Sequence, residues 1–223
     1  MLNIFSTSAE NFIKTIFMHE QSRSFDTKPG SIAKALGITS AAATDMARNL
    51  ADKKLVQYEK YRQLELTPEG EKLALKVIRK HRLWETFLYR IFQMSLHEIH
   101  REAELLEHQT TEFLAEKISS YLGDPVVDPH GDPIPSADGE LDIKTGLIPL
   151  SLAEPDKDYV ITRIAGSDKE FFDFCNRNDI NIGSTLTVEK QYAGHRMVEI
   201  SLNQIRLLLN ADFSDFIYVE PLS

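Results

Sequence analysis

Apolar and polar positions divide the 223-residue chain into a helical first half and a strand-rich final third. Between residues 8 and 21, Phe12, Ile13, Ile16 and Phe17 recur at the three- and four-residue spacing of one helix face. A short loop holding Pro29 and Gly30 follows. Ile32, Ala33 and Leu36 then mark a second short helix closed by Gly37, a residue suited to the left-handed turn at a helix end. Thr39 or Ser40 can cap a third helix, whose buried stripe is Ala43, Met46, Ala47 and Leu50. The stretch LVQYEKYRQLELT reads as two strands around a charged turn, with Val56, Tyr58, Leu64 and Leu66 alternating on its arms. Thr67-Pro68-Glu69 supplies a cap, a first-turn proline and an acid near the positive end of the helix dipole. One long helix is therefore predicted from about Glu69 to Phe92, and a second from about Ser95 to Leu122.

Those two helices carry Leu73, Val77, Leu83, Trp84, Phe87, Leu88, Leu105, Leu106, Phe113 and Leu114. That is more apolar surface than a slim domain covers alone, which predicts a dimer interface; a hidden core is the competing reading. Residues 124–155 hold six of the nine prolines and read as a linker. Beyond it, YVITRIAG, STLTVEKQY, MVEISL and FIYVEPL are short alternating strands, as in a small β-barrel or sheet. The fold class is thus mainly α with a small β part.

Charge changes the picture. Residues 1–90 hold 15 Lys and Arg against 10 Asp and Glu, and residues 91–223 hold 10 against 24, giving the net −9. Such asymmetry suggests a basic face for an anionic partner, with an acidic remainder. No apolar run reaches 18 residues and the N-terminus lacks the basic-then-apolar order of a secretory signal, so neither a membrane span nor export is expected. The single Cys175 excludes an internal disulfide and a multi-cysteine zinc site, and it suits a reducing cytoplasm.

Two short helices joined by a tight turn and followed by a β-hairpin make a winged helix-turn-helix, whose second helix enters the DNA major groove. Thr39, Ser40, Ala41, Thr44 and Asp45 occupy the N-terminal end of that helix, and Arg48 lies one turn beyond Thr44. Small residues permit close approach, alanines can contact thymine methyl groups, and hydroxyls can reach phosphates or base edges. Asp45 would repel phosphate; it can accept from a cytosine amino group or cap locally. Lys60 and Arg62 sit at the hairpin tip, where a wing meets the backbone. A three-helix scaffold with no nucleic-acid role is the alternative.

The long helices also concentrate metal-competent groups. His81 and Glu85 are spaced i,i+4, and His100, Glu104, Glu107 and His108 fall at i, i+4, i+7 and i+8 on one predicted face. Nitrogen and carboxylate donors of this kind suit borderline-to-hard divalent ions in five- or six-fold coordination. Histidine–glutamate pairs at this spacing also occur on solvated helix faces.

The stretches SAENFIKTIF, IAKALGITSAAATDMARNLADKKLV, YEKYRQLELTPEGEKLALKVIRKHRLWETFL, EIHREAELLEH and DPHGDPIP resemble, in that order, the diphtheria toxin repressor family of metalloregulators, in particular its manganese-responsive branch. KHRLWE followed by EIHREAELLEH is the most specific pair of motifs. The resemblance implies a winged-helix DNA-binding domain over 1–71, a helical dimerisation and metal-binding domain over 72–141, and a linker with a FeoA-like small β-barrel over 142–223. It implies His81, Glu85 and His100 as ligands of one metal site. For the other it implies Glu104, Glu107 and His108, with Asn11 at the first-helix position where the family usually has Met or Asp. Lys14 stands where members with a two-metal cluster place a Glu, a departure from that cluster. Glu104 stands where the iron-responsive type has Cys, which favours Mn²⁺; Fe²⁺ is the alternative corepressor, and Zn²⁺ competes by intrinsic affinity. Glu85, Asp128 and His130 match a secondary site of some relatives, and Asp128-Pro129-His130 also reads as a plain turn. The expected function is a cytoplasmic, metal-dependent repressor that binds palindromic operator DNA as a homodimer. A metal-independent winged-helix regulator and a carboxylate/histidine metallohydrolase are the rivals. Against the hydrolase, the chain has no HExxH motif, nucleophile elbow or phosphate-binding glycine loop.

Overall fold

The computed structural model describes residues 5–21, 26–142, 145–166 and 168–222. Contacts gather the chain into two compact units. The first comprises residues up to Trp84 with Glu102–Asp124 and Ile134–Leu141, and the second comprises Glu85–Arg101, Pro125–Pro133 and Asp142 onward.

The first unit opens with α1 (Thr7–Gln21), α2 (Pro29–Leu36) and α3 (Ser40–Asp52), followed by a hairpin of β1 (Val56–Gln57) and β2 (Glu65–Leu66). Pro29 and Gly30, expected in a loop, instead open α2. Proline loses nothing there, because the first helical N–H has no intrahelical partner in any case. Gly37 ends α2 in the left-handed conformation (φ 64°), and the Thr39 hydroxyl accepts the N–H of Ala42 at 3.2 Å to start α3. The turn between the two helices is thereby held at both ends. The core of the unit joins Phe12, Ile13, Ile16 and Phe17 of α1 to Ile32 and Ala33 of α2 and to Ala43, Ala47 and Leu50 of α3. Each large side chain so buried contributes about 1.5–3 kcal/mol. The hairpin arms pair over only two residues, Val56 with Leu66 and Gln57 with Glu65, and Leu64 is fully buried at the base.

Helix α4 (Pro68–Phe92) begins in the first unit, adding Ala74, Leu75 and Ile78 to its core, and passes into the second. A methyl group at Gly70 would lie 2.0 Å from the Leu55 carbonyl oxygen, so the helix meets the backbone before β1 with no room for a side chain. Gly70→Ala should therefore destabilise the protein by about 1–3 kcal/mol. This outweighs the roughly 1 kcal/mol that alanine gains over glycine within a helix. A lower urea midpoint at unchanged slope is the expected result.

The second predicted long helix is not continuous. It forms α5 (Leu96–Leu106), a 3-10 turn at Glu107–Gln109 and α6 (Glu112–Tyr121). Thr110 is extended (φ −84°, ψ 120°). Its hydroxyl donates to the Leu106 carbonyl at 2.7 Å and accepts from Trp84 Nε1 at 2.7 Å. Thr111 then caps α6 by accepting the N–H of Leu114 at 3.2 Å. Local hydroxyl–backbone bonds thus replace the helical ladder at this point.

The second unit is built on β3 (Ile148–Pro149), β4 (Lys157–Ile164), β5 (Thr185–Tyr192), β6 (Met197–Leu202), β7 (Ile205–Asn210) and β8 (Ile217–Pro221). They form one antiparallel sheet in the order β3-β8-β4-β5-β6-β7. The described strands leave this row open, with β3 and β7 at its ends, so "barrel" describes it only loosely. Two helices unforeseen in the sequence, α7 (Lys169–Arg177) and α8 (Ala211–Ser214), accompany it. Asp168 caps α7 by accepting the Phe171 N–H at 2.9 Å. Tyr159, Ile161, Phe171, Val188, Ile200 and Val219 are central to its core. Cys175 is buried there, and burial, aided by the charge of Asp168, pushes its thiol up to about 12, so it is a packing group and not a nucleophile. No described helix is long and apolar enough to cross a membrane.

Candidate metal centre and nucleic-acid interface

On the helix-turn-helix, Ser40, Ala41, Asp45 and Arg48 are exposed and Thr44 is half-buried. The Thr44 hydroxyl donates to the Ser40 carbonyl at 2.8 Å. Asp45 lies 3.4 Å from Arg48, an exposed pair worth at most about 1 kcal/mol and therefore easily exchanged for another partner. Lys60 and Arg62 flank Tyr61 at the hairpin tip, all three exposed. Lys60 Nζ stands 4.8 Å from the Tyr61 ring centroid, and Arg62 Nε is 3.7 Å from Glu59. All eight positions read from the sequence as a nucleic-acid surface are thus at least partly accessible, and none belongs to the core.

Within the first unit, α1, α4, α5 and the 3-10 turn bring a second group of residues together. Glu104, Glu107 and His108 each offer a donor atom within 4.8 Å of the others. Glu107 and His108 are buried, and His81, also buried, places its Nδ1 2.5 Å from Glu107 Oε2. From α1, Glu10 Oε2 lies 2.5 Å from His108 Nδ1, and Lys14 Nζ lies 2.6 Å from both Glu104 Oε1 and Glu107 Oε1. Asn11 Oδ1 is buried and has no hydrogen-bond partner among the described residues.

The Lys14 ammonium balances the Glu104 and Glu107 carboxylates in part, and the donors around it can also serve a metal ion. His108 Nδ1 lies against Glu10 Oε2, and its Nε2 faces Glu107 Oε1, 3.2 Å away. An imidazole nitrogen and carboxylate oxygens brought this close are donors that one ion can share. The orphaned Asn11 oxygen is an uncompensated acceptor on α1. Oxygen and imidazole donors without sulfur suit a borderline-to-hard divalent ion, so the residues present fit one. Glu10 escaped the sequence reading. Its signal was there: it is a carboxylate on the stripe of α1 that otherwise buries Ala9, Phe12, Ile13, Ile16 and Phe17.

The second unit gathers Glu85, His100 and His130. His100 Nδ1 is 3.1 Å and His130 Nε2 3.6 Å from Glu85 Oε1, and the Glu85 carboxylate is buried. Burial disfavours a charged His130, but its hydrogen bond to Glu85 and the charges of Glu85, Asp128 and Asp132 outweigh this and hold its pKa above the usual histidine value. Asp128 Oδ1 accepts the N–H groups of His130 and Asp132 at 2.8 and 2.9 Å, closing a turn that fixes the His130 backbone. The geometry thus joins His81 to Glu107, and His100 and His130 to Glu85.

Residues 4–64 match the family described as "Iron dependent repressor, N-terminal DNA binding domain", residues 67–136 its "metal binding and dimerisation domain", and residues 148–221 the FeoA domain. Over 100 residues the chain is 34% identical to the HTH-type transcriptional regulator MntR of Geobacillus kaustophilus (strain HTA426), covering 45% of this chain and 70% of that protein. Over 96 residues it is 32% identical to the diphtheria toxin repressor of Corynebacterium glutamicum, covering 43% and 42% respectively. Among solved structures, a manganese-dependent transcriptional repressor in complex with manganese superposes with a TM-score of 0.88 at 28% identity, covering 96% of this chain and 100% of that one.

Proposed function

We propose, from the premise that this chain belongs to the diphtheria toxin repressor family, that it is a metal-dependent transcriptional repressor acting in the cytoplasm, not an enzyme. It binds palindromic operator DNA as a homodimer, with Mn²⁺ or Fe²⁺ as corepressor and Zn²⁺ as a competitor in vitro. The observation that carries this reading is the buried meeting of the Glu107 carboxylate and the His108 imidazole, to which α1 adds Glu10 and, one residue on, an Asn11 oxygen buried with no hydrogen-bond partner among the described residues. Glu104, Glu107, His108 and Asn11 would hold the ion, with His81 and Glu10 orienting Glu107 and His108 from behind. Glu85, His100 and His130 are a second candidate ligand set, in which Asp128 positions His130.

An ion held this way cross-links α1 to the turn after α5, and α1 packs directly on α2 and α3 in the core. Differential affinity for the DNA-competent arrangement is what lets the ion act as corepressor. Thr39, Ser40, Ala41, Thr44, Asp45 and Arg48 would face the major groove, and Lys60 and Arg62 the phosphates.

The test is selection of duplexes from a random pool by the full-length protein in Mn²⁺, followed by titration of the winner with and without chelator. The expected outcome is a palindrome whose affinity falls about 5–150-fold when Mn²⁺ is removed. Equal affinity in both buffers would leave a metal-independent winged-helix regulator. Arg62→Ala should weaken binding to all sequences about equally and reduce the slope of log affinity against log salt by about one phosphate contact. A loss confined to one base position would contradict that role.

A further inference from the structure

Lys14 projects from α1 into the same cluster, its side chain 14% exposed, and its ammonium stands 2.6 Å from one oxygen of Glu104 and 2.6 Å from one oxygen of Glu107. Glu107 has both oxygens engaged: Oε2 by His81 and Oε1 by Lys14. An ion drawing on this carboxylate must therefore displace something already bound. Of the groups around it, the ammonium is the one whose charge a metal ion replaces directly.

We propose that Lys14 is a tethered counter-cation that holds the Glu104–Glu107 pair in the metal-free protein and yields it when a divalent ion binds, thereby setting the metal concentration at which the repressor responds. This rests on the reading of Glu104, Glu107 and His108 as ligands. The chemistry suits the role. Lysine is a compact point charge on a flexible four-carbon stem, able to release a carboxylate and swing toward solvent without moving its backbone. Its charge also compensates two carboxylates, one fully buried, that would otherwise repel each other. Every ion that binds must overcome this contact, so the apparent affinity is lower than the bare ligand set would give. Asn11 lies three residues before Lys14 on the same helix, so α1 contributes both the competitor and a candidate ligand.

The test compares full-length wild type, Lys14→Met and Lys14→Arg. Mn²⁺ affinity is measured by competition with a fluorescent chelator, and melting temperature with and without Mn²⁺. Lys14→Met is expected to bind Mn²⁺ about tenfold more tightly, a difference of 1.4 kcal/mol. Its metal-free form should melt lower, and the rise on adding Mn²⁺ should exceed that of wild type. Lys14→Arg, whose planar fork grips carboxylates in two places, should bind Mn²⁺ no better than wild type. Unchanged or weaker Mn²⁺ binding by Lys14→Met overturns the proposal whatever its melting temperature. Should that variant fail to fold, Lys14→Gln gives the same comparison. A wild-type protein that binds no Mn²⁺ would instead overturn the metal reading itself, and this proposal with it.

Discussion

His108→Ala should abolish the metal response: operator affinity in Mn²⁺ and in chelator should agree to within about twofold, against the 5–150-fold coupling typical of such regulators. The substitution has a second effect that must be separated from the first. His108 and Glu10 form a buried pair, with side chains 4% and 2% exposed, and removing one partner leaves a carboxylate stranded in the interior. Breaking such a pair costs about 3–5 kcal/mol. The single variant should therefore melt lower as well as lose its response. Adding Glu10→Gln removes the stranded charge, and the double variant should recover most of the lost stability but none of the metal response. Full metal-dependent DNA binding by the double variant would show that the ion is held elsewhere.

Phe113→Asp is expected to convert the dimer to monomer at micromolar concentration, read by sedimentation velocity. Phe113 is 73% exposed in the single chain, and Leu105, Leu114 and Tyr121 are exposed near it in sequence at 67%, 41% and 69%. Large apolar side chains left in water on consecutive helices mark a surface that a partner covers. A carboxylate there would be desolvated without a counter-charge, which a dimer interface does not tolerate. Operator affinity should fall by about 10²–10⁴, because engaging the second half-site then gains nothing from tethering. The melting of the monomer itself should be unchanged, since Phe113 contributes nothing to either core. A variant that sediments as wild type would place the dimer contact elsewhere.

Some of this architecture was legible because the signals were local. The stripe of α1, the Gly37 stop, the Thr39 cap and the Thr67-Pro68 start each rest on residues within one turn of the element they define. The break after α5 was not legible. Leu106 and Phe113, seven residues apart, keep one helical phase across the polar EHQTTE stretch, and the bond that stabilises the extended Thr110 comes from Trp84, 26 residues away. β7 was missed because its apolar run is only Leu207–Leu209, set between Arg206 and Asn210 without alternation, and α7 because its short KEFFDFCNR segment sits among strands. In the cluster, spacing identified His81, Glu104, Glu107 and His108 as one kind of chemistry. It could not pair His81 with Glu107, which needs the tertiary approach of α4 to the turn. Glu10 reads as an ordinary first-turn acid by its place in the helix, and only its position on the apolar stripe of α1 sets it apart.

The tight 3-10 turn at Glu107–Gln109 makes chain length, more than residue identity, the fragile variable of this region. Both neighbours turn toward α1 there, Glu107 reaching Lys14 and, on α4, His81, while His108 reaches Glu10 one turn earlier on α1. Deleting Leu105 alone would leave every donor in the chain and swing the pair by roughly 100° about the helix axis, dispersing the constellation. Lineages descended from such a protein should accordingly drift by substitution through α5 while gaining and losing residues in the exposed turn at 136–140.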